Sequence, residues 1–230
     1  RSVRQSAITI RSSPLLYSLE AYSVKMVAND KRAWRDFLEQ QGGSPHDRQP
    51  LSPPVNDTPW TFTGLSPNTL SARHRHRSRC SSGGSDFETD NGVVLCDTIS
   101  QKTLFHLISL LNASYTDYDF TDAKGEDFQR VHEYETVKTC VRSKLAALVR
   151  DKRLQQLWTT IDGEIHPKEC MIYSYKSDAH IDAFNEDGIL WSFNYFFANR
   201  RLKRILFLSC QAYRYVCITC AQLQLFACLM

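Results

Sequence analysis

At 230 residues, with 42% apolar and 23% charged side chains, the chain has the composition of a soluble globular protein of one large or two small domains. A net charge of +3 excludes a general electrostatic affinity for nucleic acid, so only local clusters could argue for one. No apolar run approaches the roughly 20 residues of a membrane helix, and the eight cysteines are scattered, with Cys140, Cys170, Cys210 and Cys217 inside apolar patterns, which suits buried thiols in a reducing compartment.

Residues 1–14 carry little pattern; without a starting Met or an apolar core segment they read as the start of a fragment, not a signal peptide. Leu15 to Met26 alternates in part and predicts a strand. Asn29 or Asp30 then caps a helix through Trp34, Phe37 and Leu38, ended by Gly42-Gly43. From about residue 42 to Thr98 the composition shifts to Pro, Ser, Thr and Gly with almost no periodic apolar residues. Such a stretch buries too little surface to offset its ordering entropy, so it is expected to be a disordered insertion. It contains the basic run Arg73, Arg75, Arg77 and Arg79, interleaved with His74 and His76. That run suits nuclear import or an anion patch, and equally a solvated loop; the two histidines lack partners at metal-ligand spacing.

Ser100 is a helix cap, followed by the stripe Leu104, Leu107, Ile108 and Leu111. Asn112 to Phe120 is a turn-rich connection. Its Asp117 and Asp119 lack the Gly and distal Glu of a calcium loop, and Phe120 is expected in the core. Glu126 to Arg150 is the longest helical pattern, with Tyr134, Val137, Val141, Leu145 and Leu148 on one face. His132-Glu-Tyr-Glu135 lacks the second histidine of a zinc-protease helix, since Thr136 stands in its place. Leu154, Leu157, Trp158, Ile161 and Ile165 predict a shorter helix. Cys170 to Tyr175 reads as a strand with Met171, Tyr173 and Tyr175 on one face, and Ser177 to Gly188 as a polar connection.

The strongest pattern spans Ile189 to Cys210. Trp191, Phe193, Tyr195 and Phe197 share one face of a strand, and Leu190, Ser192, Asn194 and Phe196 the other. Leu202 to Ser209 is nearly continuous in apolar residues after Lys203 and Arg204, the mark of a central strand covered on both faces. The predicted result is a wholly buried hairpin, reversing over Ala198 to Arg201 with Asn199 at positive φ. It lifts four cations, Arg200, Arg201, Lys203 and Arg204, to its tip, with Lys203 half covered. Tyr213 to Cys220 predicts a further strand, and its single Cys217–Cys220 pair lacks the second pair a structural zinc needs. No GxSxG, P-loop or GxGxxG is present, and no local context pairs a nucleophile with a base.

Three ordered boxes carry a family resemblance. Trp191-Ser-Phe-Asn-Tyr-Phe-Phe-Ala-Asn-Arg-Arg-Leu-Lys-Arg-Ile205 closely resembles the C-terminal signature box of the Maf-one family, negative regulators of RNA polymerase III transcription. Tyr22-Ser-Val-Lys-Met26 is similar to its N-terminal box and Asp117-Tyr-Asp-Phe120 to its middle box. Glu169 to Tyr175 and Glu186-Asp-Gly188 also match. The resemblance implies an α/β fold of the α+β type, a mostly antiparallel central sheet flanked by helices with a long disordered insertion. On this reading 1–41 and 99–210 form the globular domain, 42–98 the regulatory insertion and 211–230 a divergent end, which replaces the family's usual acidic tail.

The same resemblance implies a non-enzymatic repressor without cofactor. Its partners would be RNA polymerase III, a TFIIB-related factor with TATA-binding protein, and TOR-pathway kinases and phosphatases. It would shuttle between nucleus and cytoplasm, silencing genes such as those for tRNA, with no membrane and no sequence-specific DNA contact. Two Leu-Ser-Pro contexts carry the expected phosphorylation sites onto Ser52 and Ser66, and the packing of the family's outer boxes places Lys25 near Asp187. From the residues alone, the tip cations Arg200, Arg201, Lys203 and Arg204 are expected to dock an acidic partner surface. The alternative is a single-stranded RNA-binding module stacking bases on the aromatic strand, although the intra-strand glycines of an RNP1 motif are lacking.

Overall fold

The computed structural model describes residues 4–12, 15–53, 97–176 and 182–214, with side chains from residue 15 onward. These belong to one compact unit. Its frame is a six-stranded antiparallel sheet in the order β1 (Arg4–Ser12), β2 (Leu15–Ser23), β8 (Arg204–Tyr213), β7 (Ile189–Asn199), β6 (Met171–Tyr175), β5 (Phe128–Val131). A second sheet pairs β3 (Arg48–Pro50) with β4 (Thr98–Ser100). Helices α1 (Ala28–Gln41) and α2 (Gln101–Ser114) are packed on one face of the main sheet, α3 (Tyr134–Leu145) and α4 (Asp151–Ile165) on the other. The expected architecture, an antiparallel sheet flanked by helices, is the one observed.

The alternation in β7 explains the layering. Phe196 and Ala198 join the α1/α2 side, where Phe196 stacks on Phe207 of β8 with centroids 4.5 Å apart. Phe193 and Phe197 join the α3/α4 side, against Tyr134, Trp158 and Ile161. Strand β8 lies between β2 and β7, and Ile205 to Ala212 is buried throughout, as its unbroken apolar run requires. The hairpin is not wholly buried, however: its first turn of strand emerges, and Leu190 is 57% exposed.

Several expectations are corrected. Glu126 to Val131 is not part of an α-helix. A single 3-10 turn (Gly125–Asp127) leads into β5, whose register sets Arg130 opposite Tyr173, and the helix begins only at Tyr134. It stops at Leu145, leaving Leu148 exposed. Asp30 is not the cap of α1 but its third residue, its carboxylate accepting the Val27 N–H at 3.2 Å. Strand β1, unsignalled in the sequence, pairs along β2. Cys140 and Cys170 are half-buried and only Cys210 is sealed, its thiol pushed up to about 12 by burial. In the connection before β7, Ala183 and Phe184 are core residues.

The ends of the expected insertion are built into the fold. Leu51 is buried, the β3–β4 pair closes the loop, and the Ser52 N–H donates to the Phe128 carbonyl at 2.8 Å. Disorder therefore does not describe 42–53, which lies inside the domain, and Gln211 to Tyr213 finish β8 and do not begin a separate segment. Residues 54–96, and with them Ser66, Arg73, Arg75, Arg77, Arg79 and the two histidines, lie outside the described residues, as does the Cys217–Cys220 pair.

Candidate partner-docking surface

The tip of the β7–β8 hairpin is a four-residue reversal, Arg200 to Lys203. Asn199 is buried, extended and still in β7; the positive φ falls instead on Lys203, at 51°. What Asn199 supplies is its side chain. Its Oδ1 accepts the N–H groups of Arg201 and Leu202, both at 3.0 Å, folding the turn, while its Nδ2 donates to the Ile165 carbonyl at the end of α4, at 2.9 Å. On the other flank the Lys203 carbonyl accepts the Val24 N–H at 3.0 Å, tying the turn to the chain leaving β2. The cations are thus presented from a fixed backbone.

They are not equivalent. Arg201 reaches Glu169 at 3.3 Å and Arg204, half-buried, reaches Glu164 at 3.6 Å. Such exposed pairs are worth little in stability, but they commit part of the charge. Arg200 and Lys203 are exposed and make no ion pair among the described residues; the half cover expected for Lys203 is absent because Lys203 sits in the turn, outside the strand. Leu202, expected in the strand, is also in the turn and 40% exposed, and Val27 at the same end of the sheet is 49% exposed. The tip is therefore a mixed basic and apolar surface. Its apolar member was missed because a leucine beside a strand of apolar residues reads as part of it.

Lys25 belongs to this end too, since Ser23 pairs with Arg204. Asp187 does not. It precedes Ile189, which pairs with Tyr213 at the far end of β8, so Lys25 and Asp187 are separated by the length of an 11-residue strand, about 35 Å at the usual rise. The expected contact is ruled out by the register. Ser52, half-buried on a parallel bridge to Gln129, borders β5 and is not part of the tip.

Elsewhere, a polar cleft of about 380 Å³ opens beside β2 and β8, lined by Ser18, Glu20, Tyr115, Tyr118, Glu186 and Tyr213. The Glu20 carboxylate there accepts hydroxyls from Ser18, Tyr22 and Ser114. No group of three metal-ligating side chains occurs among the described residues, and His132 instead meets Asp97 at 2.7 Å. The aromatic face that an RNA-stacking role would need is occupied: Phe193 and Phe197 are buried against α3 and α4, and Trp191, half-buried, stacks on Phe193 with the Lys144 ammonium 5.8 Å from its ring.

A helix-flanked antiparallel sheet of this form is the fold of citrus MAF1. Two crystal structures of that protein match over 90% of this chain and 94% of theirs, with TM-scores of 0.54 and 0.52 at 24% and 22% identity. The Maf1 regulator family model matches residues 15–209, and the chain belongs to that family of regulators. Among curated relatives, the repressor of RNA polymerase III transcription of Dictyostelium discoideum is 42% identical over 120 residues, 51% of this chain and 43% of the relative. The repressor of RNA polymerase III transcription maf1 of Schizosaccharomyces pombe is 34% identical over 111 residues, 48% of this chain and 47% of the relative. The chain spans less than half the length of these curated relatives in the matched stretch.

Proposed function

We propose that this chain represses RNA polymerase III transcription, including that of tRNA genes, by docking on the polymerase and blocking its engagement with the TFIIB-related factor and TATA-binding protein. Two curated relatives carry the repressor name, which supports the target. The observation that carries the docking reading is the tip itself: Arg200 and Lys203, exposed and without an ion pair among the described residues, stand beside exposed Leu202 on a turn held by Asn199. Fixed cations around an apolar contact suit an acidic partner surface, since complementary charge speeds encounter and a small apolar anchor slows release.

Control by phosphorylation of Ser52 and Ser66 through TOR-pathway kinases and opposing phosphatases belongs to the same reading, with shuttling between cytoplasm and nucleus through the run Arg73 to Arg79. Each phosphate adds about −1.5 to −2 charge to the chain. Catalysis has no part in it.

The test is capture of purified RNA polymerase III at physiological salt, with transcription of a tRNA gene as the functional readout. Arg200→Glu with Lys203→Glu should weaken capture about tenfold or more and relieve repression, while Arg201→Gln should change little. Unchanged capture by the double variant would remove the tip from the interface.

A further inference from the structure

A second surface of mixed character lies where α3 gives way to α4, on the face of the sheet opposite α1 and α2. The link 146–150 is held at both ends. The Ala146 N–H donates to the Arg142 carbonyl, and the Leu148 and Val149 N–H groups to the Leu145 carbonyl, each at 2.9 Å. The Arg150 carbonyl then accepts the N–H groups of Arg153 and Leu154, at 2.9 and 3.3 Å, to open α4. Where the helices meet the sheet they leave a notch of about 20 Å³, walled by Tyr17 and Phe193 from strands and by Leu145, Val149, Leu154 and Leu157 from the helices and their link. Tyr17, Val149 and Leu157 are only half-buried, so the notch opens to solvent, and Leu148 beside Val149 is 47% exposed. Small-molecule sites run to about 300 Å³ or more, so this recess takes no more than the end of one aliphatic side chain.

Cations frame the notch. Arg153 is the one charged residue in its lining. The Lys144 ammonium donates to the Ser192 carbonyl at 3.1 Å and stands 5.9 Å from the ring centre of Phe193, one of the walls. Arg150, Lys152 and Arg153 fall within a single turn, exposed and without an ion pair among the described residues, and Asp151 is the one acid between positions 142 and 153. Arg142 and Lys144 suit the last turn of α3, whose dipole favours cations. Lys152 and Arg153 sit in the first turn of α4, where the dipole disfavours them, so the stability of that helix does not account for their charge. We propose that the notch and its cations form a docking surface for an acidic amphipathic segment of a partner protein. One aliphatic side chain of the segment enters the notch, and its carboxylates meet Lys144, Arg150, Lys152 and Arg153.

Charge complementarity calls for an anionic occupant, and the recess selects among anions. A nucleic acid held by its phosphates leaves an apolar recess empty. A bilayer takes up side chains that protrude from a protein and has none to insert into a notch. An acidic helix with apolar anchors three and four residues apart offers both the carboxylates and the inserted side chain. The surface is distinct from the hairpin tip. Phe193 lies six residues along β7 from Asn199, about 20 Å at the usual rise, and pairs with Cys210, whereas Asn199 pairs with Arg204. The two surfaces can therefore be occupied together, and this one does not rest on the docking reading of the tip.

The experiment uses the full chain, ¹⁵N-labelled, and as probe a synthetic peptide of leucines spaced three and four apart among glutamates, at about 0.1 M salt. Affinity is read by fluorescence anisotropy of the labelled peptide and location by amide shifts. The largest shifts should fall on residues 144–157 and on Phe193. Arg150→Gln with Arg153→Gln should weaken binding about fivefold or more, and Leu148→Ser about threefold. All three side chains are exposed, so the fold should be kept, as far-UV dichroism reports. Replacing the peptide's leucines by serine should weaken it about tenfold. Shifts confined to residues 200–203, or equal binding by the parent and both variants, would overturn the proposal. So would a serine peptide that binds as well as the leucine peptide, since charge alone would then suffice. Short RNA or phosphatidylserine vesicles that shift residues 144–157 and displace the peptide at equal concentration would reassign the surface to those partners. With no polymerase present, failure here leaves the docking reading of the tip standing, and a failed capture assay leaves this surface standing.

Discussion

Asn199 and Ile165 lie 34 residues apart, yet one hydrogen bond between them, Nδ2 to carbonyl at 2.9 Å, joins the hairpin tip to the end of helix α4. The carbonyls of a last helical turn lack intrahelical partners, and here a strand side chain supplies one. Because the same amide also receives the N–H groups of Arg201 and Leu202, a single buried residue sets both where the tip sits and how it turns. Asn199→Ala should destabilise the domain by about 2 kcal/mol, seen as a shifted midpoint in urea unfolding. It should also weaken partner capture although it removes no charge. Wild-type unfolding in the variant would show that water replaces these bonds at no cost.

Asn194 plays a related part within the sheet. The β6–β7 ladder runs Met171↔Ala198, Ile172↔Phe197 and Tyr173↔Phe196, and its continuation would set Tyr175 opposite Asn194. The backbone ladder stops before that pair, and the Asn194 amide spans the gap, accepting the Tyr175 N–H at 2.6 Å and donating to the Tyr175 carbonyl at 2.9 Å. Asn194→Leu, branched alike at Cγ but bulkier and apolar, deprives both buried backbone groups of these partners and should cost about 2–4 kcal/mol. Faster hydrogen exchange at the Tyr175 amide would locate the effect, and unchanged protection there would refute it.

Much of this arrangement could be read from sequence where a local period carried it. The hairpin stood out because aromatics alternate through β7 without a glycine or proline, and α2 because Ser100 precedes a regular leucine stripe, the cap bond to the Thr103 N–H being present at 3.2 Å. Strands β1 and β5 did not stand out, since each is an edge strand specified by its single neighbour; the Gln129-Arg130 pair in β5 has no period of its own. The β3–β4 pair joins residues about 50 apart through three-residue strands, too short to show an alternation. At the tip, the clustering of cations was legible but not their division. Glu164 and Glu169, which engage Arg204 and Arg201, lie in α4 and in the 3-10 turn after it, outside the hairpin.

His106 gives the domain an acid-side dependence. It is buried in α2, and neither ring nitrogen has a hydrogen-bond partner among the described residues. Burial, reinforced by Lys102 and opposed by Asp30, lowers its pKa to about 4. The unfolded chain binds a proton near the ordinary value of 6.5 and the folded chain only near 4, so between these limits the unfolded state holds more protons and is favoured as pH falls. His106 should therefore leave stability unaffected above about pH 7 and subtract up to about 3 kcal/mol by pH 4. His106→Phe should flatten the stability profile over that window in urea titrations at fixed temperature. An equal slope in both proteins would assign the dependence elsewhere.

Two glycines make opposite predictions and together test how tightly the start of the insertion is seated. Gly125 lies against β3: its N–H donates to the Gln49 side chain at 2.6 Å, and a Cβ added there would meet the Pro50 carbonyl oxygen at 2.5 Å and the Gln49 Cβ at 2.7 Å. Backbone oxygen cannot rotate away as a flexible side chain would, so Gly125→Ala must push β3 off the turn before β5, at a cost of about 1–3 kcal/mol. Gly163, inside α4, has nothing within 4 Å of the same added atom. There the substitution only lowers the backbone entropy of the unfolded chain, and Gly163→Ala should stabilise by about 0.5–1 kcal/mol. Thermal melts of the two variants should therefore move in opposite directions from the parent. If Gly125→Ala melts with the parent, residues 48–53 are not held against the domain as described.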